Sequence, residues 1–323
     1  MLKYIAKRAL QAVPLVIGIT IISFILIQAA PGDPFSELSQ NPQISEQTLQ
    51  DLRVRFGFDR PLVIQYLKWF WGMLRLDFGY STSYHIPVIT LIGQRLFNTL
   101  YLAVISLVLT WAIAIPIGIY SARHQYQLGD RIFSVLTFIG MSLPTFFVAF
   151  LFIYVASHTT WLPTGGVRDP IYFDMMSPLE KTWDLFRHLL IPISVLVASS
   201  VAGLVRLMRG NMLDVLKLPY VTTARAKGLS EFKVIYKHAL RNAVNPMITI
   251  FGYQLSGLLS GVALTEAILS WPGLGRLMLD AVLKQDVYLV MATLVISSCL
   301  LIISNLFADI LLAVTDPRVR YQS

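Results

Sequence analysis

An all-α integral membrane protein with six spanning helices is the fold class this sequence predicts, and three observations predict it. Only 14% of the residues are charged and 55% are apolar, with mean hydropathy +0.64, whereas soluble chains average roughly 25% charged. Six apolar runs stand out, near 9–30, 96–121, 132–157, 188–207, 244–268 and 287–314. Each is about as long as the 20 residues a helix needs to cross a bilayer. The runs are continuous where a barrel strand would alternate, which excludes a transmembrane β-barrel.

The first run follows the basic start MLKYIAKR. A cleaved signal has a shorter apolar core and a small-residue cleavage site. Here Gln28 and Pro31 occupy that region, so an uncleaved anchor is expected. With six spans both termini share a side, and charge chooses it. Counting Arg206 with the loop it adjoins, the segments placed in the cytoplasm carry 15 lysines and arginines against four acids. Those placed outside carry 11 against twelve. The positive-inside rule puts both termini in the cytoplasm. The layout is a span and outer loop over 1–95, a transmembrane domain over 96–314 and a tail over 315–323. Pro116 and Pro144 are expected to kink the second and third spans, because proline removes a backbone bond that lipid cannot replace.

The outer loop, 31–95, reads as two short helices. Ser45 can cap one that runs to Phe56 and stops at Gly57. Pro61 can open another, carrying Tyr66, Trp69, Phe70 and Trp71, residue types that collect at membrane interfaces. The loop is either an interfacial anchor or a docking platform for a solute-binding protein, or both.

The cytoplasmic segment 208–243 carries the densest charge. From Arg206 to Arg241 lie eight of the chain's 26 lysines and arginines. Pro219 suits the first position of a helix, and Gly228 its left-handed stop. Arg225 and Lys227 then fall in the last turn, where cations favour the helix dipole. Ser230 can cap a second helix to about Asn242, with a Leu229–Val234 staple. Lys233, Lys237 and Arg241 make a basic stripe on it, and Phe232, Ile235, Tyr236 and Ala239 an apolar one. Helices this short need a surface to pack on. A helix–turn–helix reader of nucleic acid is excluded, because a loop tied at both ends to spans is poorly placed to enter a groove. Anionic lipid is a second possible surface for it.

These residues carry a resemblance. TTARAKGLS and HALRNAVNP resemble the cytoplasmic signature loop of binding-protein-dependent ABC transporter permeases, most closely the dipeptide, oligopeptide and nickel importer branch. APGDP after the first span, FGFDRPLVIQYLKW in the outer loop, TEAILSWPGLGRLMLDA after the fifth span and DPRVR at the carboxyl end resemble the same branch in the same order. The resemblance implies an ABC type-1 permease fold, and a coupling helix at Thr222, Thr223, Ala224, Arg225, Ala226, Gly228 and Leu229 that docks on an ATPase. It departs from the general signature, which opens with Glu-Ala-Ala where this chain has Thr222, Thr223 and Ala224. It also implies partners: a second homologous permease, two ATP-binding subunits and an extracytoplasmic solute-binding protein, besides membrane lipid. ATP and magnesium would be bound by those partners and no cofactor by this chain. The cytoplasmic (inner) membrane is the implied location. Small peptides are the implied cargo, with nickel chelates or glutathione-type compounds as alternatives.

The residues themselves agree with a borrowed motor. No G-x-x-x-x-G-K-[ST] phosphate loop occurs in the chain. The five histidines are scattered and the one cysteine, Cys299, lies in an apolar run, so no metal site is expected. An ion-coupled secondary transporter would show repeats, broken helices and titratable groups at midspan. No convincing repeat is evident, and Glu266 and Asp309, the acids within spans, lie near span ends. Asp309 is expected to pair with Arg206 or Arg209. In the fifth span Gly252, Ser256 and Ser260 recur every fourth residue, with Gly257, Gly261 and Gln254 alongside. Small residues so spaced let helices approach closely, within the chain or across to a second subunit, or they line the path. The turn SWPGLG before the last span reads as an outer gate, a re-entrant element or packing filler.

Overall fold

The computed structural model describes residues 2–29, 45–259 and 263–315, and among these it contains helices and turns but no strand. The first span is α1 (Leu2–Ala29). The outer loop supplies α2 (Glu46–Phe56) and α3 (Leu62–Leu74). α2 begins and ends where its caps dictate. Ser45 Oγ accepts the Thr48 N–H at 3.2 Å, and Gly57 takes φ +79° at the stop.

α4 (Val88–Arg123) starts directly after Pro87 and runs unbroken through Pro116. The third span is where proline acts. α5 (Leu128–Ser142) and α6 (Thr145–Ser157) meet at Leu143–Pro144 with a bend of 104°, much sharper than a kink. α7 (Pro178–Leu216) is longer than the apolar run within it. Its start is fixed by a capping box: Ser177 N–H donates to Glu180 Oε2 at 2.8 Å, and Glu180 N–H to Ser177 Oγ at 3.5 Å, with Pro178 at the first helical position.

The 208–243 segment holds α8 (Pro219–Ala226) and α9 (231–243). Then come α10 (Asn245–Leu259), α11 (Ala263–Ile268), α12 (Leu274–Leu283) and α13 (Val287–Thr315). Asp286, fully buried, caps α13 by accepting the Leu289 N–H at 3.2 Å. Its other oxygen takes the Ser81 hydroxyl at 2.5 Å and the Ser83 N–H at 3.0 Å, which fastens the outer loop to the last span.

Four of these helices, α1, α4, α7 and α13, are long and apolar enough to cross a bilayer, and the bent pair α5–α6 makes a fifth crossing if counted as one. Helix packing is most extensive between α4 and α7 and between α10 and α13. The first pair closes at Gly118, where an added Cβ would lie 2.6 Å from the fully buried Met208. One apolar cluster joins Ala114 and Ile119 of α4, Met208 and Met212 of α7, and Ile235 and Ala239 of α9. The loop is thereby seated on the carboxyl-terminal parts of α4 and α7.

Candidate functional site

The first loop helix forms as its sequence dictates. Leu218 in extended conformation precedes Pro219, and the helix closes in a Schellman motif. Gly228 N–H bonds to Arg225 O at 2.9 Å and Leu229 N–H to Ala224 O at 3.4 Å, with Gly228 at φ +73°. The chain then reverses through Ser230 into α9. The two helices are braced at both ends. Arg225 Nε donates to Glu231 Oε1 at 2.7 Å beside the turn, and Asn242 Nδ2 donates to Tyr220 Oη at 2.6 Å at the open end. Between these braces Val221, Ala224 and Val234 form a small buried core. Asn211 Nδ2 of α7 donates to Ala243 O at 3.0 Å and ties the far end back to the long helix.

Of the seven residues expected to form the docking surface, Thr222, Thr223, Arg225, Ala226, Gly228 and Leu229 are exposed, and Ala224 faces inward. The second helix departs from its expected face. Its middle, Val234–Ala239, is a wide π turn, with Leu240 N–H bonding to Ile235 O. The extra residue in that turn moves the buried face to Val234, Ile235, Ala239 and Ala243. Phe232 and Tyr236, placed on the apolar stripe by a 3.6-residue period, instead stand exposed with their rings 4.6 Å apart. The Leu229–Val234 staple is likewise replaced: Leu229 is exposed and Val234 packs on α8. Lys233, Lys237 and Arg241 are all exposed, as the stripe requires.

Arg209, one of the two partners expected for Asp309, is engaged elsewhere. Arg209 is held by Asp130, with Nε at 2.7 Å from Oδ1 and Nη2 at 2.8 Å from Oδ2. Asp130 is buried at the start of α5 and also accepts the Tyr126 N–H at 2.9 Å. Arg206 lies over the Phe138 ring at 5.4 Å. A fork of two parallel bonds suits a guanidinium and a carboxylate, and it locks the α4–α5 loop to the last third of α7.

The small-residue face of α10, which lies in the run expected to be the fifth span, divides into two. Gly252 and Ser256 turn to α13: a Cβ on Gly252 would lie 2.7 Å from Ala308 Cβ, and Ser256 Oγ reaches Leu301 O at 3.4 Å. Gln254 and Gly257 turn the other way and line a cavity of about 180 Å³ with Leu107, Thr110, Ser200 and Leu258. Gln254 Oε1 accepts the Trp111 indole N–H at 3.0 Å. Ser260 and Gly261 lie outside the described residues.

Glu266 has a role the sequence did not suggest. It is buried, accepting the Arg276 N–H at 2.8 Å and the Thr99 hydroxyl at 3.3 Å. Thr99 Oγ1 in turn accepts the Leu274 N–H at 2.8 Å, and Asn98 Nδ2 donates to Pro272 O at 2.9 Å. The WPGLG turn is thus stitched to α4, with Gly273 backed directly against the Glu266 carboxylate.

Comparison with known proteins now bears on this architecture. The family model described as binding-protein-dependent transport system inner membrane component matches residues 114–321, and the N-terminal membrane-component model of such systems matches 1–103. The chain belongs to this permease family. It is 42% identical to the oligopeptide transport system permease protein AppB of Bacillus subtilis (strain 168), over 99% of this chain and 100% of that one. It is 35% identical to the dipeptide transport system permease protein DppB of Escherichia coli (strain K12) over the full length of both. A solved structure of the MetNI methionine ABC transporter, in inward-facing conformations, is similar with TM-score 0.54 at 15% identity, covering 71% of this chain and 97% of that one. That likeness shows the fold, the type-1 importer permease fold expected from the sequence.

Proposed function

We propose that the chain is the membrane-crossing subunit of an ATP-driven importer that carries small peptides across the cytoplasmic membrane. It crosses six times with both termini in the cytoplasm, pairs with a second homologous permease, and receives cargo from an extracytoplasmic solute-binding protein. Two ATP-binding subunits supply hydrolysis, and this chain performs no covalent chemistry. Peptides are the cargo named for its relatives in Bacillus subtilis and Escherichia coli.

The observation that carries the reading is the loop of α8 and α9. It is braced by Arg225–Glu231 and Asn242–Tyr220 and seated on α4 and α7, and it still leaves Thr222, Thr223, Arg225, Phe232 and Tyr236 uncovered. A rigid, exposed unit at the inner end of long helices suits a docking piece for a subunit that moves. Gly228→Val tests it. A β-branched residue at φ +73° costs roughly 1–2 kcal/mol and reshapes the turn between the helices. Open space around Gly228 means that no clash adds to this. The variant is expected to insert and to assemble with the ATPase subunits, while uptake of a labelled dipeptide into proteoliposomes is lost. Wild-type uptake would reject the proposal.

A further inference from the structure

One cavity lies in the segment between α1 and α4. It measures about 590 Å³ and is bounded by α2, α3 and the turn after α3, with Arg55, Arg60, Lys68, Gln65, Trp69 and Asp77 in its wall. Three permanent cations face one carboxylate there. Among the described residues Arg55, Arg60 and Lys68 form no ion pair, and all three are exposed. Asp77 is engaged, its Oδ1 accepting the Gly79 N–H at 3.0 Å. Trp69 is buried with an indole N–H that has no partner.

Depth identifies what answers this charge. α3 lies along the first span: Tyr66 Oη is 2.8 Å from Thr20 Oγ1, and the Phe24 and Tyr66 rings are 5.5 Å apart. Thr20 is nine residues short of Ala29, the end of α1, which at 1.5 Å per residue puts it about 13 Å inside the apolar span. Tyr66 of α3 therefore reaches its hydroxyl down beside α1 into the apolar span, while the helix itself starts level with the end of α1. The face it turns away from α1 is a bare apolar stripe of Val63, Leu67, Trp71 and Leu74. Gln65, in the cavity wall, is level with Gln28 at the very end of α1, 3.5 Å away. The cations thus stand at the level where acyl chains give way to headgroups, beside a helix whose outer stripe fits acyl chains.

We propose that this cavity is a headgroup site for an anionic phospholipid, whose phosphate is held by Arg55, Arg60 and Lys68 while its acyl chains lie along the α3 stripe. The inference needs α1 to cross the membrane and is independent of the cargo. A soluble anion offers the same phosphate chemistry but has nothing to cover the stripe.

The test uses the full-length chain in its assembled complex, delipidated in detergent and re-exposed to phosphatidylglycerol, to phosphatidylcholine or to inorganic phosphate alone. Retained lipid is counted by native mass spectrometry. Phosphatidylglycerol should be retained and phosphatidylcholine should not. The triple variant R55Q/R60Q/K68Q should lose the lipid by roughly a hundredfold in affinity, one interfacial charge contributing about a factor of five. All three side chains are exposed, so the variant should elute and unfold like wild type. Val63→Gln with Leu67→Gln, which alters the stripe and leaves the charges, should also weaken retention. Equal retention of both lipids, full retention by the triple variant, or equally tight binding of inorganic phosphate alone would each overturn the proposal.

Discussion

Replacing Arg209 by methionine isolates the fork between α7 and α5. The substitution keeps the length of the side chain and removes its charge, leaving the Asp130 carboxylate, 3% exposed, with neutral donors from the Tyr126 N–H and Ser134 and no cation. Removing one partner of a buried ion pair costs about 3–5 kcal/mol. Arg209 is 25% exposed, so some of its charge is already hydrated, and the lower end of that range, about 3 kcal/mol, applies. Asp130→Asn should cost less, because a neutral amide can still accept from Tyr126. The double variant Asp130→Asn/Arg209→Met should be more stable than the sum of the two single losses predicts. Thermal unfolding of the purified chain in detergent, followed by tryptophan emission, measures all four corners of this cycle. A coupling of about 2 kcal/mol or more supports a fork that holds the α4–α5 loop to α7. A coupling under about 0.5 kcal/mol, as for exposed pairs, would refute the reasoning.

Two further outcomes are expected. Gly273→Ala adds a Cβ directly against the Glu266 carboxylate at a backbone angle any residue tolerates, φ −98°, so the loss is steric and should be roughly 1–3 kcal/mol. Glu266→Ala in the same chain should make that Cβ harmless, and unfolding curves of the single and double variants decide it. Gly252→Leu and Gly257→Leu should behave differently. The first overpacks α10 against Ala308 and Asn305 and lowers the unfolding temperature, whereas nothing stands within 4 Å of a Cβ on the second. Gly257→Leu should unfold like wild type and reduce dipeptide uptake by filling the cavity beside Gln254, and unchanged uptake would remove that cavity from the path.

What the sequence could disclose depended on how local the cause was. Ser45, Gly57, Pro219 and Gly228 act on the backbone within a few residues of themselves, and the helices they bound begin or end where expected. Apolar runs marked the long helices, but the ends of α7 lie beyond its run because Ser177–Glu180, a capping box visible as SPLE, sets the start. Pro144 was recognisable as a disruption, while the 104° angle depends on what α5 and α6 pack against. The π turn at Val234–Ala239 adds no compositional mark, so a 3.6-residue period misplaced Phe232 and Tyr236. Pairings distant in sequence were the least legible. Asp130 and Arg209 are 79 residues apart, and Glu266 meets Thr99 across 167. Charge alone said only that these groups needed partners.

α7 has a mechanical consequence. It runs 39 residues, about 58 Å, and α8 starts at Pro219, three residues past its end, with Asn211 clamping the far side of the α8–α9 loop. Whatever pushes on that loop therefore works a lever whose far tip is at Ser177. A swing of about 10° would carry that tip on the order of 10 Å, enough to separate neighbouring helices. Pro192, where one rung of the rod's hydrogen bonding is missing, is the place where it would yield first.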